Sequence, residues 1–301
     1  LPELARICQR QAHTHLLGAT IIHACIRPRR HRAQVRTFTR RHHRERTERH
    51  RRRVARRRCT HEDQTHSTTQ GPSMKVSIVI PVYNEMRTLP ELLRQLNDVD
   101  IGAEKEIIVV DDASSDGSRE YIASLSAKYK TVLHPRNLGK GAGIRSGAAL
   151  ATGDYILMHD ADLEYSPLDI RQMIIKAREG YPVVYGSRFL GRSKPQGRLL
   201  YYLGNRFLSA LASVLFGKKC TDVETAYKLI ETQVYRSLHL RANGWHLEPE
   251  IFMKIVRRRV RVAEVPISYS PRSRKEGKKI RVSDGLSIAL ALIQYALGLK
   301  K

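Results

Sequence analysis

Cysteine is scarce in this sequence. Four cysteines occur among the 301 residues, and three of them, Cys8, Cys25 and Cys59, lie within the first 73 residues. Together with Cys220 they show no paired spacing, so neither a disulfide framework nor a zinc site is predicted. This argues against a disulfide-rich secreted scaffold and favours a reducing compartment.

Long apolar runs are also absent. No stretch contains the roughly 18 or more uninterrupted apolar residues of a typical membrane span. Residues 199–216 come nearest but are interrupted by Asn205 and Arg206, and residues 286–299 are too few. The first residues lack the order of charged, apolar and small segments that marks a secretory signal. We therefore expect a cytoplasmic protein, and we keep peripheral contact with the cytoplasmic face of a membrane as an alternative.

Lysine is missing from residues 1–73, which carry 18 arginines, nine of the 13 histidines and only five acidic residues. Such a basic segment, with few aromatics and no apolar period, is unlike a folded domain. We interpret it as disordered or as translated upstream of a true start at Met74. The alternative is a basic arm that binds nucleic acid or anionic lipid, although we expect no nucleic-acid partner.

From Met74 onward, short β-branched segments alternate with helical ones, and we treat residues 74–301 as one domain. This spacing is typical of βαβ units and predicts an α/β fold with a mainly parallel sheet flanked by helices. Ligands of such sheets bind at the carboxyl ends of the strands. We predict strands near residues 76–82, 106–110, 131–134, 155–159 and 183–186, and a further strand within 261–269. Helices are predicted in the second half near residues 199–216, 244–257 and 282–299. Residues 220–228 and 271–279 are predicted to be loops.

Two acids follow the apolar segment 155–159. If the backbone stays extended, Asp160 and Asp162 point the same way, because side chains alternate along a strand. Two neighbouring carboxylates suit a hard divalent cation such as Mg²⁺ or Mn²⁺, which in turn suits a diphosphate. The alternative is an Asp-rich turn that caps a helix beginning at Pro167.

A glycine run, Gly139-Lys140-Gly141-Ala142-Gly143, follows the third strand. It fits neither the dinucleotide fingerprint, because residue 144 is Ile144, nor the P-loop, because Lys140 precedes a glycine. Its amides and Lys140 remain candidates to meet an anion at the helix N-terminus; a flexible turn is the alternative.

Four motifs in this order resemble family 2 glycosyltransferases of the GT-A fold, and within them the polyprenyl-phosphate (dolichyl-phosphate) mannosyl- or glucosyltransferase branch. The resemblance covers nearly all of residues 75–279. The motifs are Val79-Ile80-Pro81-Val82-Tyr83-Asn84-Glu85, Asp111-Asp112-Ala113-Ser114-Ser115-Asp116-Gly117-Ser118, Asn137-Leu138-Gly139-Lys140-Gly141 and Asp160-Ala161-Asp162-Leu163-Glu164.

The resemblance implies a role for each matching residue. It assigns the metal, Mg²⁺ or Mn²⁺, to Asp160 and Asp162, with Glu164 as a third oxygen ligand where the branch often has Gln. It assigns catalysis to Asp160, Asp162, Arg188 and Asp222. The residues it assigns to the nucleotide sugar are Pro81, Tyr83, Glu85, Asp112, Lys140, Arg188, Arg272 and Lys278.

The implied reaction is an inverting transfer of mannose or glucose from a nucleotide-diphosphate sugar to a polyprenyl phosphate, with a C-terminal extension on the acceptor side. A polysaccharide or glycolipid hydroxyl is the alternative acceptor, and it would need a base such as Asp222, Glu248 or Glu250. A sugar-nucleotide-binding protein without catalysis is the competing class.

Overall fold

A seven-stranded mixed sheet lies at the centre of the described part of the chain. The computed structural model describes residues 73–191, 199–272 and 282–299. The predictions for the basic segment 1–73 concern residues outside these ranges, apart from residue 73. The strands are β1 (Lys75–Val82), β2 (Glu104–Asp111), β3 (Lys130–Leu133), β4 (Tyr155–Met158), β5 (Val183–Ser187), β6 (Lys228–Glu231) and β7 (Val262–Pro266).

The sheet has the strand order β3-β2-β1-β4-β6-β5-β7. The pairs β2–β3, β1–β2, β1–β4 and β5–β7 are parallel, while β6 pairs antiparallel with both β4 and β5. Because β2, β1 and β4 are parallel neighbours, their carboxyl ends meet at one edge. The predicted α/β fold with a mainly parallel sheet is therefore confirmed.

Helices cover both faces of the sheet. They are α1 (Leu89–Asp98), α2 (Ser118–Ser124), α3 (Lys140–Ala149), α4 (Ile170–Arg178), α5 (Leu199–Phe216), α6 (Thr232–Leu238), α7 (Leu247–Arg257) and α8 (Val282–Ala296), and a 3₁₀ turn, Pro167–Asp169, precedes α4.

Alternation along β1 explains the two layers. Ile78 and Ile80 pack on one side in a core shared with α1 and α4, whereas Val79 packs on the other side with α3, α5, α7 and α8. A strand buried on both faces reads as a continuous apolar run, as this one does.

Two elements of the second half differ from the predictions. Strand β6 and helix α6 follow directly on the segment 220–228 that the sequence analysis describes as a loop. Strand β6 has only four residues and begins with Lys228, whose side chain is fully buried. Such a short segment with a charged first residue carries no recognisable strand period.

Helix α5 is long and apolar enough to cross a membrane, judged by length and composition alone, a test that core helices of soluble proteins also pass. It packs beside α8. Leu208 and Ala212 of α5 are buried in the core, while Phe207 and Val214 are exposed. The helix therefore has one face in the protein and one face open.

Candidate active site

A cavity of about 450 Å³ opens at the edge where β1, β2 and β4 end. Its wall combines the segments after these strands with residues from α5, from the start of α7 and from the chain after β7. Most of the residues singled out in the sequence line it: Pro81, Tyr83, Glu85, Asp112, Lys140, Asp160, Asp162, Glu164, Arg188 and Arg272.

Two of the predicted site residues, Asp222 and Lys278, are not among the described residues of the cavity wall. Asp222 is fully buried behind Arg188 and is not part of the cavity wall. Lys278 lies outside the described residues, as does most of the basic loop that contains it.

The acidic segment after β4 forms a turn instead of the extended strand end that the sequence analysis assumes. Strand β4 ends at Met158, Leu163 has a φ of +59°, and the amide of Glu164 donates to Asp162 Oδ1 at 3.1 Å. Asp160 and Asp162 still reach the same cavity. The turn, and not strand alternation, brings them together.

Lys140 is a buried cation between two acids. Its Nζ lies 2.8 Å from Asp160 Oδ1 and 3.2 Å from Glu248 Oε1. Burial alone would lower the pKa of Lys140, but the charges of Asp160 and Glu248 outweigh it and raise that pKa. Lys140 is therefore charged and ties the end of β4 to the start of α7.

Arg272 is the second cation on the acidic turn. Its guanidinium donates to Glu85 at 2.8 Å and to Asp162 at 2.9 Å. Its backbone amide donates to Glu164 at 2.8 Å. Burial, and next the charges of Asp160 and Glu164, raise the pKa of Asp162 to about 7, while Arg272 acts in the opposite direction.

The donor set on this turn fits a divalent cation. Asp160, Asp162 and Glu164 supply hard carboxylate oxygens within five residues of one another. In the described segments no three Asp, Glu, His or Cys side chains are already grouped around a common point for a metal. Asp160 pairs with Lys140 and Asp162 with Arg272, while Glu164 accepts from the Tyr269 hydroxyl and the Arg272 backbone amide. Holding a cation there would require Lys140 and Arg272 to release the two aspartates.

Asp112 organises the glycine-containing loop. Its Oδ1 accepts from Leu138 N and its Oδ2 from Gly139 N, both at 2.8 Å. His134 Nδ1 lies 2.8 Å from Oδ1, and its Nε2 bonds to Ser146. Asp112 thus lines the predicted nucleotide region and also holds the start of α3. The sequence offered no signal for His134.

The glycines before and within α3 allow a close backbone approach. Gly139 has a φ of +92°, and the amide of Gly141 donates to the carbonyl of Asn243 at 2.6 Å. A Cβ at Gly141 would collide with the carbonyl oxygen of Ala242. The backbone before α7 passes so close to these residues that only glycine fits. The amide of Gly141 is already bonded to that backbone.

Arg188 and Asp222 form a buried bidentate ion pair. The guanidinium donates to both carboxylate oxygens of Asp222 at 2.7 Å, and the Arg188 amide donates to Oδ2 at 3.0 Å. Asp222 and the nearby charges raise the pKa of Arg188 despite its burial. The guanidinium also lies 5.1 Å from the ring centroid of Tyr269. Asp222 therefore positions Arg188 at the cavity wall.

Glu248 and Glu250, the two acids at the start of α7, have different surroundings. Glu248 lines the cavity. Glu250 instead accepts from the amides of Arg241 and Ala242 and from Lys254 Nζ, which gives it a structural role.

Several cavity residues have no counterpart among the sequence candidates. Glu224 lies in the loop before β6, and Trp245 lies next to the start of α7. Spacing alone could not find them, since they come from parts of the chain without regular alternation. The cavity is also lined by Asn137, Tyr165, Tyr201, Asn205 and Tyr269.

The family model for glycosyl transferase family 2 matches residues 77–238, more than half of the chain. The chain belongs to this family. It is therefore a nucleotide-sugar glycosyltransferase, and the predicted family, fold class and enzyme class are confirmed. The competing prediction of a binding protein without catalysis is set aside.

Solved structures of similar fold include two complexes of glucosyl-3-phosphoglycerate synthase from Mycobacterium tuberculosis. The complex with Mn²⁺, UDP and phosphoglyceric acid has 19% identity and a TM-score of 0.56, covering 74% of this chain and 78% of that chain. The complex with Mg²⁺ and UDP has 19% identity and a TM-score of 0.57, covering 75% and 79%.

Mannosyl-3-phosphoglycerate synthase from Rubrobacter xylanophilus is also similar, with 17% identity and a TM-score of 0.59, covering 75% of this chain and 74% of that chain. At these identities the likeness shows the shared fold alone.

Proposed function

We propose that this glycosyltransferase transfers mannose or glucose, with inversion, from a nucleotide-diphosphate sugar of the GDP-mannose or UDP-glucose type to a polyprenyl (dolichyl) phosphate. The observation that carries the proposal is the position of α5. Tyr201 and Asn205 of this helix line the cavity, while Leu203 and Phe207 of the same helix are exposed. A helix with both properties can lead a lipid-linked phosphate into the site.

The surface around α5 and α8 suits a membrane. The two helices pack together and bury Leu208 and Ile288 in the core, which favours lying on a bilayer over crossing it. Exposed Lys218 and Lys219 follow α5 and would meet anionic lipid headgroups. We place the protein on the cytoplasmic face. The exposed apolar side chains are Leu199, Leu200, Leu203, Phe207, Val214, Leu286, Leu290, Ile293, Leu297 and Leu299.

In the proposed reaction, an oxygen of the acceptor phosphate attacks C1 of the sugar. The bond between C1 and the diphosphate oxygen breaks, and its electron pair leaves with the diphosphate. Arg188, oriented by Asp222, neutralises charge on a phosphate. Lys140 and Arg272 supply further positive charge once they release the acidic turn.

Asp160, Asp162 and Glu164 are the residues that would hold a divalent cation, which when bound supplies positive charge to the diphosphate. The two complexes of glucosyl-3-phosphoglycerate synthase contain Mn²⁺ or Mg²⁺ together with UDP, which supports the use of one of these metals.

A phosphate acceptor also agrees with the state of Asp222. A phosphate is already ionised, so no strong base has to remove a proton. Both oxygens of Asp222 bind Arg188, which leaves this residue poorly suited to act as the base that a hydroxyl acceptor would require. The alternative acceptor, a polysaccharide or glycolipid hydroxyl, would therefore have to use another base, such as Glu248 in the cavity wall.

A panel of radiolabelled nucleotide sugars, tested with Mn²⁺ and polyprenyl phosphate in vesicles, checks the proposal. We expect label in the lipid phase with one donor, and none with the Asp160→Asn variant. Parallel reactions offer 3-phosphoglycerate, because a neighbouring structure contains phosphoglyceric acid, and a glycolipid with a terminal hydroxyl. Product in either of those reactions, with none in polyprenyl phosphate, would overturn the lipid-phosphate acceptor.

A further inference from the structure

Two acids in the cavity have spare hydrogen-bonding capacity. Among the described residues, Oε1 of Glu224 and Oε2 of Glu248 are buried and have no hydrogen-bond partner. Both residues line the cavity, and Glu248 is 4% exposed. A buried acceptor without a partner is costly in a folded protein and calls for a reason. Groups of a bound ligand would supply the missing partners.

Lys140 connects Glu248 with the acidic turn. The other oxygen of Glu248 pairs with Lys140, which pairs in turn with Asp160. Glu248 is thus separated from the diphosphate end of the site by one cation. The next group of a nucleotide-diphosphate sugar beyond its diphosphate is the sugar.

Lys228, which is fully buried, does not provide the missing partner. Its Nζ donates to the backbone carbonyls of Val223 and Thr225, and Lys228 is not part of the cavity wall. Its charge acts to lower the pKa of Glu224, against the effect of burial.

We propose that Glu224 and Glu248 hold the transferred hexose by hydrogen bonds with its hydroxyl groups. This assignment rests on the proposed function only in that the donor carries a hexose. It gives the two acids a role in binding the donor sugar and makes them determinants of its chemical class.

The charge of the two acids predicts a neutral sugar. Burial, and next the charge of Glu248, raise the pKa of Glu224 to about 8. At neutral pH its carboxyl therefore carries a proton much of the time and can donate to a hydroxyl as well as accept from one. A uronic acid would add its carboxylate beside that of Glu248, and like charges repel.

A role as general base is the rival for the same two residues. A base would act on the acceptor in the transfer step and would leave donor affinity unchanged. A sugar contact changes the affinity for the nucleotide sugar but not for the nucleotide diphosphate. Binding measured without acceptor therefore separates the two roles.

The first test uses calorimetry with Mn²⁺ on the full chain and on Glu224→Met and Glu248→Met. UDP, UDP-glucose, GDP and GDP-mannose are titrated. For the preferred nucleotide we expect the affinity for the sugar nucleotide, relative to that for the diphosphate, to fall about 10- to 100-fold, as for a lost hydrogen bond to a charged group. Glu231→Met, the same change at an acid outside the cavity, should leave the ratio unchanged.

The second test needs no stable variant. Donors lacking one sugar hydroxyl are titrated into the unmodified protein, and we expect at least one to bind about tenfold more weakly. In Glu224→Met or Glu248→Met that difference should vanish, because the partner is gone. UDP-glucuronate should bind more weakly than UDP-glucose.

Two results would overturn the proposal. One is an affinity ratio that is unchanged in both cavity variants, which includes equal losses for diphosphate and sugar nucleotide. The other is no weakening of binding with any deoxy donor. Unchanged binding with slower turnover would reassign the acids as a base. The binding measurements contain no acceptor, so failure of the lipid-phosphate proposal would leave them unaffected.

Discussion

At the residue scale, the ion pair between Arg188 and Asp222 combines stability and function. Asp222 is fully buried, and both its oxygens are used by Arg188. Removing one partner of a buried pair leaves the other charge without compensation. The pair therefore holds in place the side chain that we propose binds a phosphate, and we expect its loss to affect both folding and catalysis.

We predict that Asp222→Asn lowers the free energy of unfolding by about 3–5 kcal/mol and also lowers kcat/KM. Chemical denaturation and steady-state kinetics measure the two effects. In Arg188→Gln/Asp222→Asn the stability loss should be smaller than the sum of the single losses, because the uncompensated charge is gone. Strictly additive losses would contradict this coupling.

In our proposal Arg272 competes with the metal ion for the acidic turn, since its guanidinium binds Asp162. Arg272→Ala should strengthen Mn²⁺ binding in the absence of nucleotide by about tenfold, the value of one charged hydrogen bond. Electron paramagnetic resonance of free Mn²⁺ reads this directly. Arg261→Ala, whose guanidinium bonds to Gly180 instead, is the control. Weaker Mn²⁺ binding in Arg272→Ala would show that the arginine does not compete.

The ionisation of Glu224 makes the stability of the folded protein depend on pH, and the direction of this dependence can be derived. Burial and the charge of Glu248 raise its pKa in the folded protein to about 8, from an ordinary value of 4.5. The folded state thus holds a proton that the unfolded state has released between these pH values, so this group's contribution to stability is lost as pH rises through that window.

Glu224→Gln should accordingly match the unmodified protein in thermal stability near pH 4.5 and exceed it increasingly up to about pH 8. Calorimetric melting at several pH values tests this, with exposed Glu120→Gln as the control. A difference that is constant over the range, or that shrinks with rising pH, would contradict the raised pKa.

At the scale of elements, the glycines at the start of α3 allow another part of the backbone to pack closely against this helix. Gly141 lies against the backbone of Ala242 and Asn243, far away in the chain. We predict that Gly141→Ala lowers the free energy of unfolding by about 1–3 kcal/mol through overpacking. Gly204→Ala, in helix α5 with open space around it, should instead stabilise by up to about 1 kcal/mol. Urea denaturation compares the two; a neutral Gly141→Ala would contradict the close approach.

The predicted elements agree with the structure where the pattern is strong. Strand β1 and helices α5 and α7 lie close to their predicted positions because apolar residues dominate them. Strand β6 was missed because its four residues are defined by antiparallel pairing with β4 and β5, which no local pattern encodes.

At the scale of the whole molecule, α5 connects the cavity with an exposed apolar surface. We predict that Leu203→Ser and Phe207→Ser each lower binding to vesicles of anionic phospholipid about tenfold or more, as expected for an apolar side chain kept in water. Sedimentation with vesicles measures it. Leu168→Ser changes an equally exposed leucine on the 3₁₀ turn and should have no effect. Equal effects at all three positions would remove the case for this surface.

The sequence by itself determined the parallel βαβ half of the fold and the residues at its carboxyl edge. Glu85, Asp112 and Asp160 each follow a predicted strand, and regular βαβ alternation places the carboxyl ends of parallel strands at one edge of the sheet. Only the tertiary structure decided which charges meet. Arg272 reaches the turn from beyond β7, and Glu224 and Glu248 join the cavity from segments without a period. Contacts between distant segments depend on packing and burial, which spacing along the chain does not contain.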